Sequence, residues 1–277
     1  MHIDAHQHFW IYDPREYEWI DGTMMPLRRD FLPADLRHEL EREGFQGCVA
    51  VQARQSLQET RWLLDFAAQT PFIVGVVGWV DLRSSQAGAD LEQLAQNPKL
   101  VGIRHIVQSE PDDRFLLQPD FLRGISLLGE LDLAYDILIY PRHLAVAAKF
   151  VRHFPEQRFV LDHMAKPEIR SGKINQWKKG MAELAAYPNV YCKLSGLVTE
   201  ADWNRWKPED MRPYLDVAFE YFAANRLMIG SDWPVCTLAG SYSRVMGLVK
   251  DYLSGHSEWE RDAVLGGNAK RFWRLKG

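Results

Sequence analysis

The sequence predicts an α/β fold, a single (β/α)8 TIM-type barrel over residues 1–277, and three observations carry that expectation. Short apolar runs recur eight times, their starts roughly 25 to 45 residues apart. Most intervals hold an amphipathic helical pattern, the alternation that builds βα units and a parallel sheet. The turn after the first run, His8-Phe9-Trp10-Ile11-Tyr12-Asp13-Pro14, contains no glycine. A doubly wound open sheet, the rival architecture, usually places a glycine-rich phosphate-binding turn there. In a barrel of this class the active site lies at the carboxyl ends of the strands.

In order, the predicted strands are 3–8 (IDAHQH), 48–52 (CVAVQ), 73–79 (IVGVVGW), 101–106 (VGIRHI), 133–139 (LAYDILI), 159–163 (FVLDH), 189–194 (NVYCKL) and 227–231 (LMIGS). Helical periodicity marks 33–43, 58–69, 88–96, 143–153, 175–186 and 210–223, the first opening on a proline that suits a helix start. Residues 10–32, rich in aromatics with Asp, Pro and Gly, read as an extended first βα loop over the barrel mouth. In the extended first strand, His6 and His8 project from one side. Ile3, Ala5 and Phe9 then face the other way, toward the helices.

Composition is that of a globular chain, 47% hydrophobic and 25% charged with a formal charge of −4. The weakly acidic balance argues against non-specific nucleic-acid binding. Cys48, Cys192 and Cys236 are scattered in apolar contexts and read as reduced core thiols. The first ten residues carry Asp4 and three histidines, unlike a signal peptide, and no apolar run is long enough to span a bilayer. The expected compartment is the cytoplasm.

Ionisable residues at the ends of buried parallel strands need a reason. The first strand offers His6 and His8, and Arg54 follows the second. Trp79 ends the third, Arg104 and His105 the fourth, and Asp162-His163 the sixth. Lys193 lies on the seventh strand and Asp232 follows the eighth. Singly, each has an ordinary alternative. A His pair can be surface decoration, Asp232 can cap a helix, the arginines can pair with acids, and Asp162 can cap a loop. Lys193 points either into the barrel or out against the helices. Together, His-x-His, a central His and a last-strand Asp converge on one barrel mouth. Trp10, Trp79 and Trp233 flank strand ends, where an indole serves as a pocket wall.

The segments IDAHQHFW, FVLDHMAKP, NVYCKLSGL, LMIGSDWPV and GGNAKRFWRL, in this order across essentially the whole chain, resemble the amidohydrolase superfamily. More narrowly they resemble its sugar-lactonase branch, the L-fuconolactonase-like and L-rhamnonolactonase-like enzymes. The resemblance implies a distorted barrel in which His6 and His8 match the first-strand pair, His163 the central histidine and Asp232 the last-strand aspartate. Binuclear members add a bridging carboxylated lysine and a second central histidine. Arg104-His105 stands where that lysine would be, so a binuclear centre is not expected. The four matching residues form a ligand set for a single divalent metal, zinc by preference. Members of the lactonase branch also hydrolyse lactones without a metal, so a cofactor is either not strictly required or one such ion.

The expected activity is hydrolysis of a sugar lactone to its sugar acid, a carboxylic-ester hydrolase reaction. Asp232 would be the general base. His6, His8 and His163 would polarise the carbonyl, with or without the metal. Arg54, Arg104, His105 and Lys193 would orient the substrate between walls of Trp10, Trp79 and Trp233. The alternative is a metal-dependent decarboxylase or hydratase acting on a small carboxylic acid. The expected partner is the small-molecule lactone, with no nucleic acid and no membrane; no residue pattern sets an oligomeric state.

Overall fold

A computed structural model describes residues 1–275 of the chain. Among them, eight strands pair in parallel and in chain order: β1 Ile3–Gln7, β2 Gly47–Val51, β3 Ile73–Gly78, β4 Leu100–His105, β5 Ala134–Ile137, β6 Phe159–Leu161, β7 Val190–Leu194 and β8 Leu227–Ile229. Each is short and largely buried on both faces, as a parallel barrel demands, with polar residues such as His6, Arg104, Asp136 and Lys193 set among the apolar ones. The ring closes at its carboxyl end. There Gln7 bridges Trp233, His8 N donates to Trp233 O at 2.7 Å, and Asp232 N donates to His6 O at 2.8 Å.

All six predicted helices form: α1 Pro33–Glu43, α2 Leu57–Gln69, α3 Ala87–Ala95, α5 Leu144–Arg152, α6 Asn175–Ala185 and α7 Pro208–Phe222. Two full helices beyond these complete the outer ring, α4 Pro119–Glu130 and α8 Tyr242–Leu253. Gly124 and Gly129 weaken the helical signal of α4. Gly124 is demanded by packing, since a Cβ there would lie 2.1 Å from Leu82 O. Short helices α9 Glu258–Asp262 and α10 Asn268–Phe272 follow. No described helix is long and apolar enough to cross a membrane.

The core has two layers. The outer one lies between strands and helices and holds Phe9, Cys48, Ala50, Ile103, Tyr135 and Phe159 among others. The inner one fills the barrel with Ile3, Ala5, Val49, Val51, Val77, Val160 and Met228. It is joined by Ala269, Phe272, Trp273 and Leu275 from the end of the chain. Ile3 and Ala5 therefore face inward, which corrects the expectation that they pack against helices. The cause is a register shift: Asp4 pairs with Cys48 but Gln7 with Ala50, so three residues of β1 advance against two of β2. One extra residue breaks the period-two alternation and lets Ala5 and His6 share the inner face. The predicted common side for His6 and His8 is observed, their ring centroids 4.9 Å apart.

Asp4, ahead of the shift, faces outward by ordinary alternation, toward β8 and α8. Its carboxylate accepts from Ser231 N at 2.9 Å, Ser231 Oγ at 2.6 Å and Tyr242 OH at 3.1 Å. Burial raises this carboxyl to about 6, against the lowering pull of those bonds. A carboxyl whose folded pKa exceeds its unfolded value binds protons preferentially in the native state. The wild type should therefore lose stability relative to Asp4→Asn as pH rises from about 4 to about 6, by about 3 kcal/mol. Urea unfolding of both proteins across that range checks it; a difference independent of pH counts against this account.

The long β1–α1 connection folds on itself. Trp10 and Phe31 form an antiparallel bridge, Trp10 packs on Trp19 and Phe31 at 5.7 and 5.3 Å between centroids, and Gly22–Leu27 makes a short 3-10 turn.

Candidate active site

Three imidazoles converge on one carboxylate oxygen. Asp232 Oδ1 lies 3.4 Å from His8 Nε2, 3.8 Å from His6 Nε2 and 3.8 Å from His163 Nε2, with all four side chains buried. The other ring nitrogens are held in place. His8 Nδ1 is 2.8 Å from Val51 O, and a carbonyl only accepts, so Nδ1 carries a proton and Nε2 faces Asp232. His163 Nδ1 is 2.9 Å from Ser195 Oγ. His6 Nδ1 lies 3.4 Å from Asp162 Oδ1 and 3.1 Å from Lys193 Nζ. A lone pair facing a carboxylate is repulsive unless a proton or a cation stands between them.

That arrangement fits one metal ion. His6 Nε2 and His8 Nε2 are 3.2 Å apart. With the 3.4 Å between His8 Nε2 and Asp232 Oδ1, this matches the roughly 3.3 Å between neighbouring ligands of a tetrahedral zinc, whereas the 3.8 Å distances from Asp232 to His6 and His163 are longer. His6, His8 and Asp232 group within reach of a common centre. Asp162 behind His6 is the carboxylate–histidine arrangement that fixes a metal-binding ring. Arg104 works against the ion: its Nη1 is 3.3 Å from His6 Nε2, a cation beside a would-be ligand.

Burial, chiefly, holds His6 well below its usual pKa and brings His163 down to about 4, so both are neutral near pH 7. Burial pushes the Asp232 carboxyl up, but His163, His8 and His6 around it together bring it well below the usual carboxylate range.

Backbone strain places two of these groups. Asp232 has φ +57°, and His163, Met164, Ala165 and Lys166 form a continuous left-handed run at +52°, +52°, +58° and +51°. Each such residue costs on the order of 1–2 kcal/mol. The run is anchored by Trp177 Nε1 donating to Met164 O at 2.7 Å and by Gly196, φ +64°, packed on the His163 ring. A Cβ at Gly196 would lie 2.6 Å from His163 Nδ1. Gly196→Ala should displace that ring and lower kcat/KM about 100-fold, a 1 Å-scale misplacement effect. Steady-state kinetics beside a melting curve checks this; unchanged kcat/KM in the folded variant would refute it.

Beneath the histidines lies a buried ion network. Lys193 Nζ pairs with Asp136 and, at 2.9 Å, with Asp162; Arg104 Nη1 pairs with Asp162 Oδ2 at 2.9 Å. Arg104 Nη2 also donates to Gln52 Oε1 at 3.2 Å. Burial raises the Asp136 carboxyl, whereas Asp162, flanked by Lys193, His6 and Arg104, is held well below the usual range despite its burial. Lys193 thus points into the barrel, and Asp162 serves the network instead of capping a loop.

Above the cluster a cavity of about 150 Å3 is lined by His8, Trp19, Arg104, His163, Lys166 and Asp232 among others. A larger surface cleft of about 550 Å3 near Arg170 and Trp203 contains none of these residues. The structure brings His6, His8, His163, Asp232, Arg104 and Lys193 together and sets the remaining predicted residues elsewhere. His105 faces away from the cluster, bonded to Glu110 at 2.6 Å and stacked on Phe115, with half-buried Trp79 donating to its Nδ1 at 3.3 Å. Arg54 pairs with Glu16 of the first loop. Trp10 is buried inside that loop, its Nε1 bonded to Arg29 O, and Trp233 packs on Phe9 and Phe31. Trp19 takes the wall position expected of Trp10. Asp136 and Lys166 were not anticipated. Alternation from Lys193 suggests an inward partner for it but does not say from which strand.

The amidohydrolase family profile matches residues 3–275. The L-fucono-1,5-lactonase of Burkholderia ambifaria is 43% identical over 281 residues, covering 99% of this chain and 95% of the relative. A crystal structure of an amidohydrolase from Burkholderia multivorans with bound zinc superposes with a TM-score of 0.95 at 41% identity. A second, with bound HEPES, gives 0.96 at 40% identity, and each match covers 100% of both chains.

Proposed function

The chain belongs to the amidohydrolase family, and from that premise we propose that it hydrolyses a sugar lactone, L-fucono-1,5-lactone first among them, to the sugar acid. The observation that carries this is the convergence of three imidazole nitrogens on Asp232 Oδ1 at the floor of a cavity. The named lactonase relatives, identical over nearly the whole chain at the 40% level, support the substrate class.

Asp232 Oδ1 accepts a proton from water as the water oxygen bonds to the lactone carbonyl carbon and the carbonyl π pair moves onto oxygen. Arg104, a charged donor lining the cavity, stabilises that oxyanion. Collapse reforms the carbonyl, breaks the ring C–O bond, and returns the proton from Asp232 to the leaving alkoxide. His8 and His163 hold the water and carbonyl in line through their Nε2 atoms, each ring being fixed through Nδ1 by Val51 O or Ser195 Oγ. His6, His8, His163 and Asp232 would hold a single zinc, which when bound supplies Lewis-acid polarisation of the carbonyl. Arg104 works against that affinity, since its guanidinium beside His6 Nε2 would repel a divalent cation held there. Three buried, unpaired thiols support a reducing compartment such as the cytoplasm.

A panel of aldonolactones in a pH-indicator assay tests the reading: acid release is expected, greatest with L-fucono-1,5-lactone, and none from any lactone would overturn it. In the same preparations, zinc content by mass spectrometry should reach at most one ion per chain and rise in affinity in Arg104→Met. Unchanged or weaker zinc binding in that variant would show that the guanidinium does not compete.

A further inference from the structure

Lys166 lines the same cavity as His163 and Asp232. It is the last residue of the left-handed run, and its N–H closes the turn onto His163 O at 2.7 Å, so its position relative to His163 is set by the backbone. Its side chain is 20% exposed, and its ammonium makes no hydrogen bond among the described residues; Glu200 Oε1 lies 3.9 Å away. Glu200 ends the short turn Val198–Glu200 after β7, is 23% exposed, and its carboxylate likewise accepts no hydrogen bond among the described residues. Burial raises its carboxyl first of all; the Lys166 charge works against that and the Asp232 charge adds to it.

A donor and an acceptor that just fail to reach each other leave both free to bind a third group. Lys166 lines the space a substrate must fill, and Glu200 stands beside it. The group that satisfies both is a hydroxyl, which accepts from an ammonium and donates to a carboxylate. A hydroxyl oxygen about 2.8 Å from each would span the gap at about a right angle. We propose that Lys166 and Glu200 are a specificity pair that reads one ring hydroxyl of the lactone, making the site selective for hydroxylated over bare lactones. This rests on the lactonase reading above and names the part of that site that recognises the sugar.

The measurement is a specificity ratio: kcat/KM for L-fucono-1,5-lactone divided by kcat/KM for δ-valerolactone, a six-membered lactone without hydroxyls. Lys166→Met and Glu200→Leu should each lower the ratio about 10- to 100-fold, mainly by raising KM for the hydroxylated lactone. The double variant should fall little further, because both groups read the same hydroxyl. Glu200→Gln keeps the size of the side chain and an acceptor oxygen, should restore part of the ratio, and serves if a larger change prevents folding. Ratios within twofold of wild type in Lys166→Met and Glu200→Leu, or in Glu200→Gln where those do not fold, overturn the pair while leaving the lactonase reading intact. A wild type that opens neither lactone overturns both.

Discussion

Asp232→Asn is expected to lower kcat for lactone opening at least about 1,000-fold while the fold survives. A positioned general base is worth about 100- to 10,000-fold, and the amide of asparagine cannot take the proton. Stability should hold or rise, because the new NH2 can donate to His8 Nε2, which in the wild type faces a carboxylate oxygen at 3.4 Å. Calorimetry and the pH-indicator assay on the same protein separate the two effects. A rate within tenfold of wild type would remove Asp232 from its assigned role. The pH profile carries a second signature. Asp232 stays ionised well below the ordinary carboxylate range, and His163, lowered chiefly by burial, takes up its proton only near pH 4. The acid limb of kcat/KM should therefore lie near pH 4 and not near the ordinary histidine value of about 6.5.

Lys193→Met should be the most destabilising single change in the barrel. It removes the cation between Asp136 and Asp162, all three fully buried. Breaking a buried pair typically costs about 3–5 kcal/mol, a fall in Tm on the order of 10 °C for a chain this size. The orphaned Asp136 carboxyl, already raised by burial, escapes by binding a proton. Its folded pKa lies above the unfolded one, so the native state holds the extra proton and stability falls as pH rises. The deficit of Lys193→Met should be largest above neutrality and shrink toward pH 5. Adding Asp136→Asn should recover part of it. A loss below about 1 kcal/mol, or one that ignores pH, would mean the network is solvated or unpaired in solution.

The candidate site residues were legible because chain position and chemistry agree. His6, His8, His163 and Asp232 sit where buried strands end, and no packing requirement puts four ionisable groups there. What they rest on was less legible. Lys193 follows Cys192 on a strand buried on both faces, so alternation left two directions open; only its pairing with Asp136 on β5 and Asp162 after β6 decides between them. Trp10 and Trp233 end strands as expected, yet the first loop folds back and encloses both, leaving Trp19 at the cavity. A strand-end position fixes where a backbone arrives and not where a long side chain turns.

By itself the sequence determined the eight-strand barrel, six of its eight main helices and the four residues at its mouth, because hydrophobic periodicity and helix-start chemistry are local properties of the chain. Tertiary structure alone decided the rest. The register shift that turns Ala5 and His6 inward is one extra residue with no compositional mark. The left-handed run that aims His163 and Lys166 into the cavity is held by Gly196 and Trp177. The network beneath His6 joins residues as far apart in sequence as Lys193. Such contacts form only when distant strands close into one ring, so their energies are written in the packing and not in any local pattern.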